Sequence, residues 1–394
     1  MKICFFSAEY PPETHSGGIG TYTHGMASAL AGLGHEVHVI AATAKDGGDV
    51  QVDGVRVHRL KKRRMKPKEL ELLAYSHAAG KKVKQVGCCF DIVQAAEFGG
   101  EAFWYSLGKR APLITRFATP FFLTERLNGG TIFGPRPVLN WLEKQQALRS
   151  DGLYTSTKAL ARVIAGEWGI GLSRVRVIPN GLDIARVVRL GTSNPCPDFL
   201  KDKAFLLYFG RLEERKGIRV LGNALPALLR RYPLLYMVFV GSDLGYHGSS
   251  FREYIQERSA EDRSRVLFFD NLPQEGLFPI VNRATMVILP SLWEAFGFVC
   301  VEAMALGRPV VATSGSGFEE IIVDEKSGFL VEPGNSEALA RKISEGLDDA
   351  ARLARVSEGA GRRARDFDAA RIAVGLLDYY HEIRGAWLAR RTIS

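Results

Sequence analysis

Two glutamates, Glu294 and Glu302, stand eight positions apart in the run Pro290-Ser-Leu-Trp-Glu294-Ala-Phe-Gly297-Phe-Val-Cys-Val-Glu302-Ala-Met-Ala-Leu-Gly307-Arg-Pro309. An apolar stretch ends at the proline, a short loop carries the first carboxylate and Gly297, and the second carboxylate falls within a helical pattern. Glu302 is flanked by Val299, Cys300, Val301, Ala303, Met304 and Ala305. A carboxylate in such surroundings costs free energy unless it is paired or hydrogen-bonded. Two glutamates so placed suit the acceptance of hydrogen bonds from hydroxyl groups. The loop and helix N-terminus that follow Pro290 suit an anionic ligand. For either glutamate taken singly, an ordinary exposed position is the competing reading.

Two further stretches have anion chemistry. Arg211 and Lys216 lie five residues apart in Gly210-Arg-Leu-Glu-Glu-Arg-Lys-Gly217, where arginine supplies a planar fork and lysine a point charge for a diphosphate. Gly17 and Gly18 follow the proline-containing segment 9–16 and can bring backbone amides against an anion. His15 and His24 flank these glycines and are the histidine candidates for substrate contact.

Such loops need a scaffold that delivers them to one place. Strand and helix patterns alternate along the chain, which predicts an α/β fold with parallel sheets. In sheets of this kind ligands bind outside the carboxyl ends of the strands, beside helix N-termini. Strands are expected at 2–7, 35–40, near 52–60, and at 90–93, 112–115, 152–155 and 174–178, then at 204–209, 236–240, 266–269, 285–289, 310–313 and 329–331. Helices are expected from the glycine loop to about 34, at 137–147, 158–168 and 365–393. A dinucleotide-binding fingerprint is excluded, because its third glycine would fall at Thr23 and its ribose-binding acid is replaced by Ala41-Ala-Thr43.

At 394 residues the chain predicts two domains. The first is expected over 1–183, a linker with two prolines over 184–202, and the second over 203–369, followed by an amphipathic terminal helix at about 370–394. Residues 1–183 hold 24 Lys/Arg against 16 Asp/Glu, whereas 184–394 hold 28 against 27. Much of the excess lies in 61–84, as a solvated helix face or as a contact for an acidic acceptor or anionic membrane surface. No aromatic interleaving accompanies these charges, so nucleic acid is not an expected partner. No apolar run approaches the length of a bilayer span, and 1–8 is too short for a signal peptide's apolar region, which predicts a cytoplasmic protein. The five cysteines, at 4, 88, 89, 196 and 300, have no metal-binding spacing and read as reduced thiols.

Taken in order, the Gly17-Gly18 loop, Val177-Ile-Pro-Asn-Gly-Leu-Asp183, Gly210-Arg-Leu with Lys216-Gly217, and 290–309 with its two glutamates resemble the retaining glycosyltransferases of family 4. The resemblance covers nearly the whole chain. It implies a GT-B fold, with two facing Rossmann-like domains, parallel sheets and an interdomain cleft. The implied reaction is metal-independent, needs no cofactor, and moves a sugar from a nucleotide-diphospho sugar to an acceptor hydroxyl. Glu302 would bind the ribose hydroxyls, Glu294 the transferred sugar, and Arg211 and Lys216 the diphosphate. Gly17, Gly18 and the amides of Phe296, Gly297, Phe298 and Val299 would complete the donor site. Glu320 falls where the family carries an acid after proline, with Glu319 here in the proline's place.

One departure concerns position 118. The family places a histidine near the donor sugar in a turn where this chain reads Thr115-Arg-Phe-Ala118-Thr-Pro120. Arg116, Thr119, Glu97 and His15 are the alternative sugar or acceptor contacts. Front-face attack, in which the leaving phosphate takes the acceptor's proton, would need no protein base. The acceptor is expected to be acidic or lipid-linked, at the inner face of a membrane. A binding subunit of the same fold without turnover, an epimerase and a phosphorylase are the rival readings. Asp366-Phe-Asp368 matches a metal-binding Asp-x-Asp only superficially, since it precedes a helix instead of following a strand.

Overall fold

The computed structural model describes residues 1–11, 17–62, 65–66, 69–86, 89–129, 136–245 and 248–393. The chain divides into two compact units, Met1–Leu182 with Ala369–Ser394, and Asp183–Asp368.

The first unit is built on an eight-stranded sheet. Its strands are β1 (Lys2–Phe6), β2 (Glu36–Thr43), β3 (Gly48–Val52), β4 (Val55–Lys61), β5 (Ile92–Ala96), β6 (Leu113–Phe117), β7 (Gly152–Thr155) and β8 (Val175–Val177). They lie in the order β3-β4-β2-β1-β5-β6-β7-β8, and only the β3–β4 pair is antiparallel. The single strand expected near 52–60 is therefore a hairpin. Its turn is Asp53-Gly54, both at positive φ (47° and 78°), which is the backbone a tight two-residue hairpin requires.

Sheet order reverses between β1 and β5, so the loops after these two strands share a switch point. Phe6, Ile40, Val93 and Leu113 from the strands pack with Tyr75, Ala79 and Val83 of helix Glu69–Gln85. Helix Ala369–Ile393 packs on this unit. The Tyr379 hydroxyl accepts from the Leu153 amide (2.8 Å) and donates to the Leu153 carbonyl (3.1 Å), while the Tyr380 hydroxyl bonds Gln94. These bonds satisfy two phenols that would be expensive to bury unpaired.

The second unit holds β9 (Ala204–Phe209), β10 (Leu235–Val240), β11 (Val266–Phe269), β12 (Met286–Leu289), β13 (Val310–Thr313) and β14 (Phe329–Val331). All run parallel, in the order β11-β10-β9-β12-β13-β14. Here the reversal falls between β9 and β12. Leu206, Phe239, Ile288 and Val311 pack against Leu221, Leu225 and Leu228 of helix Ile218–Arg231.

Residues 184–202, expected as a linker, instead contribute an ordered helix, Ile184–Ser193. The Asp183 carboxylate caps it by accepting the Arg186 amide (2.8 Å). Asn282 donates to the Gly191 carbonyl (3.1 Å), and a side chain at Gly191 would stand 2.4 Å from Leu306. Pro195 and Pro197 come only after the helix has ended.

Candidate functional site

Loop 210–217 leaves β9 and loop 290–297 leaves β12, the adjacent strands at the second unit's switch point. Two glycines let these loops touch. Gly217 has φ +67°, and a Cβ there would stand 1.9 Å from the Pro290 carbonyl oxygen. Gly297 has φ +98°, and its Cβ would meet the Phe318 ring at 2.3 Å. Side chains are disfavoured at both positions by conformation and by space. The Leu292 amide donates to the Arg215 carbonyl (2.8 Å), the Gly317 amide to the Glu294 carbonyl (2.8 Å), and Thr313 Oγ1 to the Ser291 carbonyl (2.6 Å). The loop bearing Glu294 is thus pinned on both sides.

This closure packs four buried or half-buried charges together. Lys216 Nζ lies 2.5 Å from Glu294 Oε2, and Arg215 Nη1 lies 3.6 Å from Glu294 Oε1. Arg215 also pairs with Glu213 (2.8 Å), which Arg211 approaches from outside (3.1 Å). The Arg211 side chain remains 56% exposed, while that of Lys216 is 15% exposed. Cationic donors are therefore graded from solvent inward. Arg215 and Glu213 belong to this charged cluster of the candidate site, although the sequence did not single them out. The charge run Glu213-Glu214-Arg215-Lys216, which begins four residues after β9 ends, marks a polar loop without distinguishing which of its charges point inward.

Electrostatics within the cluster follow from burial and pairing. Burial pushes the Glu294 carboxyl up, but Lys216 and Arg215 outweigh it and hold the group below its usual value. Burial lowers Lys216, with Glu294 opposing it. Glu302 is different. Its residue is 8% exposed on helix Phe298–Ala305, and burial raises its carboxyl to about 7 with no charged group offsetting the shift. Expected to be paired or hydrogen-bonded, it has no side-chain partner among the described residues. A carboxylate left in that state is poised for hydroxyl donors.

Helix Phe298–Ala305 begins at Gly297, so the Phe298 and Val299 amides are first-turn donors without intrahelical acceptors. Phe296 is buried and packs edge-on against Phe298 and Phe367. Beside loop 210–217, at the ends of β10 and β11, lies a cavity of about 810 Å³ lined by residues including Ser242, Asp243, Ser250, Arg252, Asp270 and Asn271. Its wall is tied to that loop by hydrogen bonds from the Leu212 amide to Ser242 and from the Leu244 amide to Leu212. Glu319 accepts the Gly315 amide (2.8 Å), and the Glu320 carbonyl accepts from Arg363 (2.9 Å). Asp366 lies in a short 3-10 turn and pairs with Arg363 (3.0 Å). Among the described residues, no group of three His, Cys, Asp or Glu is arranged to hold a metal ion.

The remaining expected residues lie in the first unit. Gly17 is the N-cap of helix Gly18–Gly32, with φ +134°, so Gly18 begins the helix instead of extending the loop. His15 lies outside the described residues. His24 pairs with Asp53 (2.9 Å). Glu97, at the end of β5, is fully buried and accepts the Ala118 amide through both oxygens (2.9 and 2.8 Å). Burial raises its carboxyl to about 7 against the pull of that amide and of Arg116. Thr119 Oγ1 donates to the Ala118 carbonyl (2.7 Å).

Arg116, expected as a sugar contact, is 3% exposed and committed inside the unit. It donates to Asn180 (2.9 Å) and stacks on Tyr22 at 3.7 Å. Glu97 thus braces the turn containing Ala118, and Arg116 is held by Asn180 and Tyr22; the sequence offered both as sugar or acceptor contacts.

Comparison with known proteins identifies the family. Residues 16–186 match the model of Glycosyltransferase Family 4, and residues 197–363 that of Glycosyl transferases group 1. The chain is 30% identical over 309 residues to a D-inositol 3-phosphate glycosyltransferase of Nocardia farcinica, covering 75% of this chain and 67% of that protein. It is 28% identical over 418 residues to a glycogen synthase of Mycobacterium tuberculosis, covering 96% and 94%. Among solved structures, Anabaena HepE in complex with UDP-glucose superposes with a TM-score of 0.69 at 20% identity, over 97% of this chain and 100% of that one. With parallel sheets in both units and a switch-point site in the second, the chain belongs to glycosyltransferase family 4 and is a glycosyltransferase of the GT-B fold.

Proposed function

We propose that this glycosyltransferase takes its sugar from a nucleotide-diphospho donor and transfers it to an acceptor hydroxyl with retention and without a metal ion. The observation that carries this reading is that the loop bearing Glu294, paired with Lys216, runs directly into the helix that carries the unpartnered, buried Glu302. In this arrangement Glu302 accepts from the ribose hydroxyls and Glu294 from those of the transferred sugar. Arg211, Lys216 and the Phe298 and Val299 amides hold the diphosphate. The cavity beside Asp243 is of a size to take the nucleoside base.

As the bond between the anomeric carbon and the phosphate oxygen breaks, negative charge grows on the leaving diphosphate, and the two cations stabilise it. The acceptor oxygen bonds the same face of the anomeric carbon and gives its proton to the departing phosphate oxygen. No protein base takes part, which is compatible with alanine at position 118. One of the compared proteins, Anabaena HepE, supports the donor class by its bound UDP-glucose.

A thermal-shift screen with UDP-, GDP-, ADP- and dTDP-sugars tests the reading. The correct donor at about 100 times its Kd should stabilise the protein by about 2.7 kcal/mol. Nucleotide release with that donor and an acceptor should then persist in EDTA. Failure of all four donor classes to shift the transition would refute it.

A further inference from the structure

The first unit carries an apolar hollow of about 620 Å³ on its surface, formed by helix Glu69–Gln85, helix Phe103–Ser106 and helix Arg136–Arg149. Its rim is unusual in composition. Trp104 is 43% exposed, Leu107 54%, Val138 51%, Trp141 52% and Met65 38%. Phe103 anchors the floor, packing against both tryptophans. Contiguous apolar side chains of this size, each about half exposed, mark an interaction surface.

Charge around the hollow says what covers it. Lys66 follows Met65 and is exposed, and Lys81 and Lys84 are exposed on helix Glu69–Gln85. A Cβ on Gly108 would lie 3.8 Å from Lys84 Nζ, so this ammonium stands beside the Leu107 rim. Segment 61–84 holds nine Lys/Arg and two Glu. Tryptophan with lysine around an apolar patch suits the interface of a bilayer containing acidic lipids. Indole rings settle at headgroup depth, leucine and valine enter the acyl boundary, and ammonium groups meet lipid phosphates.

We infer that the Trp104–Trp141 face docks the protein peripherally on an anionic membrane surface. No helix among the described residues is long and apolar enough to cross a membrane, so attachment by this face is interfacial. The inference is independent of the donor chemistry proposed above, and its test reads lipid binding alone.

Vesicle co-sedimentation of the full chain is the test, with phosphatidylcholine alone and with about one phosphatidylglycerol in three lipids. The wild type should bind the anionic vesicles at least ~10-fold more tightly than the neutral ones, and salt should weaken the binding. The double variant Trp104→Ser/Trp141→Ser should lose at least ~10-fold in binding with its thermal transition retained. Lys81→Glu/Lys84→Glu should abolish the preference for anionic lipid. Leu234→Ser, which removes an 85% exposed leucine from the other unit, should bind as the wild type does. Unchanged binding by the tryptophan variant, or no binding by the wild type, would overturn the inference. So would a dimer in sedimentation velocity that the tryptophan variant abolishes, since a second copy would then cover this face.

Discussion

Glu302→Gln should remove a proton linkage from donor binding. The Glu302 carboxyl sits at about 7 instead of the usual 4.5 because it is buried, so keeping it ionised without a hydrogen-bond donor costs roughly 3 kcal/mol. Ribose hydroxyls that donate to this group favour its ionised form. Below pH about 7, binding must therefore expel a proton, and affinity should fall by about tenfold for each pH unit. Between pH 7.5 and 5.5 the Kd should rise about 25-fold, provided the bound group titrates below its ordinary value.

Titration calorimetry in buffers of different ionisation enthalpy measures both the Kd and the protons released, and a nucleotide sugar's own diphosphate stays ionised over this range. The sign for folding is the opposite. Between pH 4.5 and 7 the folded chain holds a proton that the unfolded chain has lost, so this group's contribution to stability falls as pH rises through that window. The glutamine variant should flatten the pH dependence of binding and reduce that of folding, to which Glu97, also raised to about 7 by burial, still contributes. A wild-type Kd that does not change over this pH range, or the same slope in Glu302→Gln, would refute the assignment of Glu302 to the ribose.

Arg211→Ala should lower turnover by at least ~10-fold, about 1.4 kcal/mol of transition-state stabilisation, while leaving the thermal transition in place because the side chain is largely exposed. Lys216→Ala should lower turnover by at least as much and should also destabilise the fold, since Glu294 is then left with Arg215 at 3.6 Å as its cationic partner. Wild-type rates in both variants would contradict the diphosphate assignment. Gly217→Ala places a Cβ 1.9 Å from the Pro290 carbonyl in a backbone at φ +67°, so it should destabilise the protein by roughly 2 kcal/mol or more in denaturant unfolding and weaken donor binding. An unchanged unfolding midpoint would show that the two loops are not held as described.

The site was legible where glycine and charge share one loop. Gly210, Arg211, Lys216 and Gly217 stand between a buried strand and a helix, and Glu302 stands in an apolar helix face, so each violates the local pattern visibly. Arg215 was not legible. Its burial is produced by the Pro290 loop closing over it, and nothing in its neighbours Glu214 and Lys216 distinguishes an inward from an outward cation.

The commitment of Arg116 to Asn180, 64 positions away, is likewise a property of packing and not of spacing. Two local signals were present and misread. Val52, Val55 and Val57 continue an apolar run across Asp53-Gly54, which hides the hairpin turn. Ile184, Val187 and Val188 have helical spacing behind the Asp183 cap, but the prolines that follow the helix suggested a linker.

Helix Ala369–Ile393 gives the two units different histories during synthesis. Every residue of the second unit lies within Asp183–Asp368, whereas the first also needs residues from 369 onward. Tyr379 and Tyr380, which bond Leu153 and Gln94, leave the ribosome only after the whole second unit has been translated. The half made first is therefore completed last. Until then Leu153 in β7 and the buried Gln94 lack their tyrosine partners, which makes the nascent first unit the stage most open to chaperones and to misassembly.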